Sequence, residues 1–105
     1  RKSWEYQSVK KKGKRFRDDA FWFQILLNSD SNALPRLGVI ASRRFGGAIQ
    51  RNKAKRKFRE IFRKNIGHFP KGSQTVLLPR PALFFLSFEE VEKRILAAIL
   101  KTNLN

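Results

Sequence analysis

The stretch from Ala48 to about Ile66 restricts the fold of this chain more than any other. Ala54, Phe58, Ile61, Phe62 and Asn65 recur at i, i+4, i+7, i+8 and i+11, the spacing of one face of an α-helix. On a wheel of about 100° per residue, Asn52, Arg56, Arg59 and Arg63 gather opposite Phe58 and Phe62, with Lys53, Lys57 and Lys64 on one flank. The stripe therefore needs a core behind it, while a row of guanidinium groups stays outside. A single amphipathic helix does not hold itself together in water, so the rest of the chain must supply a layer to cover that stripe.

The charge around this helix is one-sided. Arg43 to Lys64 holds ten Lys or Arg against one acid, Glu60, and Arg1 to Arg17 holds eight more against Glu5. A solvated face ordinarily mixes both signs, which supports i, i+4 pairs and solubility. A formal charge of +16 and a pI near 11.4 exceed what solubility needs and imply a polyanionic partner. Arg forks suit phosphate oxygens, and the Gly46-Gly47 turn that opens the helix offers free amides to anions. An anionic membrane surface could accept the same charge, but no apolar run approaches the roughly 20 residues of a spanning helix, and no signal-like segment is visible.

With 105 residues the chain is read as a single domain, residues 1–105, with one modest core. Ten Phe residues and 41% hydrophobic content are enough to order it. Ser3 to Val9 reads as a short helix stopped near Gly13. Phe21 to Leu27 reads as a strand buried largely on both faces, and Arg36 to Ser42 as a second strand pairing with it through the intervening polar loop. Gly67 to Gln74 reads as a loop and Thr75 to Leu78 as a short strand before Pro79 and Pro81. Ser87 reads as the N-cap of a last helix, with Glu90 as capping-box partner, Leu86 stapling onto Val91, and Val91, Ile95, Ala98 and Ile99 facing inward. Helices packed on a small mixed sheet, an α+β sandwich, follow from this order.

Catalytic groups are scarce. There is no Cys, so a disulfide scaffold and a thiolate metal site are both excluded. His68 sits in a Gly-Pro-flanked loop with nothing nearby in sequence to orient it. Asp18 and Asp19 are the only adjacent acids near a strand and read as a turn pair, too few for a two-metal phosphodiesterase site.

The run Arg44-Phe45-Gly46-Gly47-Ala48-Ile49-Gln50-Arg51-Asn52-Lys53-Ala54-Lys55-Arg56-Lys57-Phe58-Arg59-Glu60 resembles the signature of the bacterial ribonuclease P protein family. Gly46, Ala48, Arg51, Asn52, Lys55, Arg56, Arg59 and Glu60 match it; Arg44 stands where Lys is commoner, and Lys53 replaces the second Arg of an Arg-Asn-Arg core. A Lys keeps the charge at that position but loses the bidentate geometry. Tyr6-Gln7-Ser8-Val9, Arg36-Leu37-Gly38, Arg80-Pro81-Ala82 and Ser87-Phe88-Glu89-Glu90 extend the likeness over nearly the whole chain.

The resemblance implies a two-layer sandwich of about four strands and three helices, ribosomal protein S5 domain 2-like, with a left-handed βαβ crossover where general rules favour the right hand. It implies a cytoplasmic subunit, a monomer within its complex, that binds the catalytic RNA subunit and precursor tRNA. Removal of the 5′ leader is then carried by the RNA with Mg²⁺, the protein alone holding no cofactor, no metal and no catalytic residue. Two surfaces follow. Arg43, Arg44, Gly46, Gly47, Arg51, Asn52, Lys53, Lys55, Arg56, Arg59 and Arg63 would meet the catalytic RNA. Tyr6 and Lys10, with Phe16, Trp22 and Gln24 added by strand alternation, would line a cleft for the single-stranded leader. A ribosomal or rRNA-associated basic protein is the alternative, and an architectural DNA-binding protein a further one, for which no wedge residues or dimer surface are visible.

Overall fold

The computed structural model describes residues 13–27 and 32–103. The helix expected over Ser3–Val9, and with it Tyr6 and Lys10, lies outside the described residues. The described chain runs β1 (Lys14–Arg17), β2 (Phe21–Leu26), β3 (Arg36–Val39), α1 (Ala48–Lys64), β4 (Gln74–Pro79) and α2 (Phe88–Asn103). Two short 3-10 turns, Ile66–His68 and Pro81–Phe85, follow α1 and β4.

β1 and β2 form a hairpin whose turn is built by the two aspartates. Asp18 N–H donates to the Phe21 carbonyl at 2.9 Å, and Asp18 Oδ2 accepts from Ala20 N–H at 2.9 Å, the local bonding that favours Asp in tight turns. β2 is not buried on both faces as its apolar run suggested. Phe21, Phe23 and Ile25 are fully buried, while Trp22, Gln24 and Leu26 between them are only half-buried, the period-2 pattern of a strand with one covered face.

The sheet order is β1-β2-β4-β3, which corrects the expected pairing of β2 with β3. β4 lies between them, antiparallel to β2 and parallel to β3. The physical reason is visible in β4 itself, where Thr75, Val76 and Leu77 are buried in succession. A strand buried on both faces belongs inside a sheet, whereas β3, with exposed Arg36, suits an edge. Parallel pairing of β3 and β4 needs a long crossover, and α1 provides it.

Both helices join one core with the sheet. Phe21, Phe23, Ile25, Leu37 and Leu77 cluster with Ala54, Phe58 and Ile61 of α1 and Val91, Ile95, Ala98 and Ile99 of α2. Phe58 meets Phe21 edge to face, with centroids 6.0 Å apart and planes at 84°, a favoured aromatic geometry. The inward stripe of α1 thus runs as its spacing indicated, ending at buried Asn65. Asn65 Nδ2 donates to the Ile61 carbonyl at 2.9 Å and to Glu92 Oε2 at 2.7 Å, tying the end of α1 to α2. Ser87 Oγ accepts from Glu90 N–H at 3.1 Å, the expected cap, while the Glu90 carboxylate pairs with Arg94 at 3.0 Å.

Candidate RNA interface

α1 and α2 are both amphipathic and both end on basic residues, Arg63 and Lys64 in one and Lys101 in the other, yet their first turns differ. α2 follows the helix dipole, with Glu89 and Glu90 in its first turn and Lys101 in its last. α1 has no acid in its first turn and no side-chain cap, its N-cap being Gly47 in extended conformation at φ −74°, ψ 179°. Its leading N–H groups therefore point outward beside Arg51 and Lys53, an arrangement that favours a bound anion.

Along the outer face of α1 the structure brings together Asn52, Lys55, Arg56, Arg59 and Arg63 with Glu60 around a shallow depression of about 370 Å³. Arg56, Arg59 and Arg63 are exposed, and none takes part in a salt bridge among the described residues. Lys53 lies on the flank with Lys57, and Arg51 is half-buried nearer the helix start. Arg43 and Arg44 are exposed in the turn before the glycines, closed by Phe45 N–H on the Ser42 carbonyl at 3.1 Å. The residues expected to meet the RNA subunit therefore extend from that turn along one helix.

The second surface is only partly assembled as expected. Trp22 and Gln24 lie on the sheet face opposite the core, across from Arg17 and Arg15 of β1. Phe16 does not join them. It stands directly opposite Phe23, so it points to the core side, packs against the core, and has Lys101 Nζ 4.9 Å from its ring centroid. Cross-strand partners share a face, so the parity of Phe16 is fixed by the register of the hairpin, which sequence alternation across the Asp18-Asp19 turn cannot count. What replaces Phe16 is cationic. The Arg17 and Arg80 guanidiniums each lie 4.9 Å from the Trp22 centroid, within cation–π range. Arg15, Arg17 and Arg80 stand on this face without having been expected there, although the alternation Arg15-Phe16-Arg17 held the signal for the first two.

The acids that are engaged serve the protein's own packing. Asp18 Oδ2 pairs with Arg94 at 3.0 Å. Glu92 is held below the usual carboxylate range, chiefly by its hydrogen bond from Asn65, against opposing desolvation, with Lys64 adding to the lowering. Arg94 is pushed above its ordinary value by Glu90 and then Asp18. His68 is exposed in its 3-10 turn. No group of three His, Cys, Asp or Glu able to hold a metal occurs among the described residues, and no helix there is long and apolar enough to cross a membrane.

A small α+β protein with an arginine-lined helix on one side and a cation-rimmed sheet face on the other is, as a class, a nucleic-acid-binding protein. The Ribonuclease P family model matches residues 1–103, and the chain belongs to that family. It is 37% identical over 95 residues to the ribonuclease P protein component of Desulfotalea psychrophila, covering 90% of this chain and 78% of that one. To the component from Syntrophobacter fumaroxidans it is 38% identical over 103 residues, covering 95% and 83%. The RNase P protein from Thermotoga maritima in complex with 1-(4-fluorophenyl)-2-thiourea superposes with a TM-score of 0.79 at 33% identity, covering 90% of this chain and 91% of that one. The Staphylococcus aureus RNase P protein shares the fold, with a TM-score of 0.80 at 24% identity and coverage of 97% and 94%.

Proposed function

We propose that this chain binds the catalytic RNA of ribonuclease P through α1 and its glycine turn, and guides the 5′ leader of precursor tRNA across the outer face of the sheet. The observation that carries this reading is the exposed arginine row of α1 on a helix whose N-terminus is uncapped and free of acids. Phosphates would supply what the isolated helix lacks, at its dipole and along its flank. The leader would meet Trp22, Gln24, Arg15, Arg17 and Arg80, with Tyr6 and Lys10 contributing from the N-terminal segment. Hydrolysis of the phosphodiester rests with the RNA and its Mg²⁺; this chain neutralises and orients. The same reading takes the crossover from β3 through α1 to β4 as left-handed, and places the protein in the cytoplasm as a monomer within its ribonucleoprotein.

The test is the salt dependence of binding to the RNA subunit. Each phosphate neutralised should contribute about 0.7 to 0.9 to the slope of log K against log salt. Arg56→Ala and Arg59→Ala should each reduce the slope by roughly one and weaken binding without unfolding the domain. A flat dependence in the parent would refute the arginine-row reading, and loss of the fold in either variant would make these side chains structural.

A further inference from the structure

A second feature of α1 lies on its other flank. Between α1, the Pro81–Phe85 turn and the start of α2 opens a groove of about 430 Å³, within the roughly 300–1,000 Å³ of small-ligand sites. Its apolar side is aromatic. Phe45 and Phe84 stack with centroids 4.7 Å apart and planes only 16° from parallel, and Phe88 and Leu83 continue that wall. Its polar side carries Lys53, Arg56 and Lys57, with Glu60 as the sole acid. Phe45 is buried, whereas Phe84 is 48% exposed, so the stack presents a ring to the groove's opening.

We infer that this groove receives one unpaired nucleobase of the bound RNA, stacked on Phe84, with its flanking phosphates held by Lys53, Arg56 and Lys57. The inference rests on the RNA-binding reading above and adds a base-binding pocket to it. Unpaired bases extruded from RNA are taken up on aromatic platforms, and a planar apolar ring bearing anionic phosphates is complementary to a slot with a ring on one wall and cations on the other. An apolar peptide segment would fit the aromatic wall but would desolvate three cations without pairing them, at considerable cost. Glu60 adds an acceptor for the amino or imino protons of a base edge.

The experiment uses the full chain and a short single-stranded oligouridine carrying one central 2-aminopurine, whose fluorescence falls when the base stacks. In titrations at matched salt concentrations, repeated over a series of salts, the parent should bind and quench. Phe84→Ala should bind roughly fivefold to a hundredfold more weakly, from about 1–3 kcal/mol per stacked base, and lose the quench, while its salt slope stays that of the parent. Phe84→Leu keeps bulk against Phe45 but has no ring, and should behave as Phe84→Ala; Phe84→Tyr should restore both signals. Should Phe84→Ala fail to fold, the contrast between Leu and Tyr decides. Parent-like binding and quenching by Phe84→Leu would overturn the pocket. So would loss of the quench in Trp22→Ala with retention in Phe84→Leu, which moves the base to the sheet face. If the parent itself binds without salt dependence, the arginine-row reading fails as well, a result distinct from failure of the pocket alone.

Discussion

Gly46 illustrates how a motif position acquires its residue. A Cβ placed there would lie 3.1 Å from Gln50 Cβ and 3.6 Å from Phe84 Cζ. Gln50 Cβ is fixed by the backbone of α1 and cannot rotate away, so the chain entering the helix would have to move. Gly46→Ala should therefore destabilise the protein by about 1–3 kcal/mol, the usual range for overpacking. A thermal midpoint equal to the parent's would show that the turn gives way freely. The family motif marks this glycine in the sequence. Its cause is not legible there, because it depends on how closely the entering chain passes the Cβ of Gln50 in the first turn of α1. Phe16 and Trp22 make the same point about orientation: both are large aromatics of the hairpin, and only the register Arg17↔Trp22, Phe16↔Phe23 places one outside and the other against the core.

Among the elements, the two helices were the most legible, because their apolar spacing is long and regular. The inward residues of α2 were read correctly from spacing and from the Ser87 cap, since both signals lie within a few residues of one another. The Pro81–Phe85 turn was not foreseen; one proline followed by Ala82, Leu83 and two aromatics has no periodicity to read, and that turn shapes the aromatic groove. How α1 is anchored to α2 was also hidden, since Asn65 and Glu92 are distant in sequence. This contact carries a pH dependence. The folded pKa of Glu92 is lowered, so its stabilisation is present above the unfolded carboxylate value, about 4.3, and is lost as pH falls through the lower folded value. Glu92→Gln should lower the thermal midpoint at neutral pH, and the gap between variant and parent should close on acidification below that range. A gap that stays constant with pH would mean the charge of Glu92 contributes nothing.

At the scale of the whole molecule, strand order was the principal misreading. Neighbours in sequence usually pair, but here the most deeply buried strand arrives last and inserts itself between β2 and β3. The core that results has Phe58 at its centre, fully buried and set against Phe21. Phe58→Ala should cost about 3–5 kcal/mol, a large part of the stability of a domain this small, and denaturant unfolding would measure it; a loss under 1 kcal/mol would mean that the helix and sheet layers repack around the gap. The contrast in charge between the helices reaches further. Glu89, Glu90 and Glu92 all ride on α2, while α1 carries one acid among its many cations, so the surface potential is uneven as well as positive. A molecule with such an imbalance feels a torque in the field of a polyanion before any contact is made, and arrives already turned. Capture then becomes fast because fewer encounters are wasted on wrong orientations, and raising the ionic strength slows arrival itself.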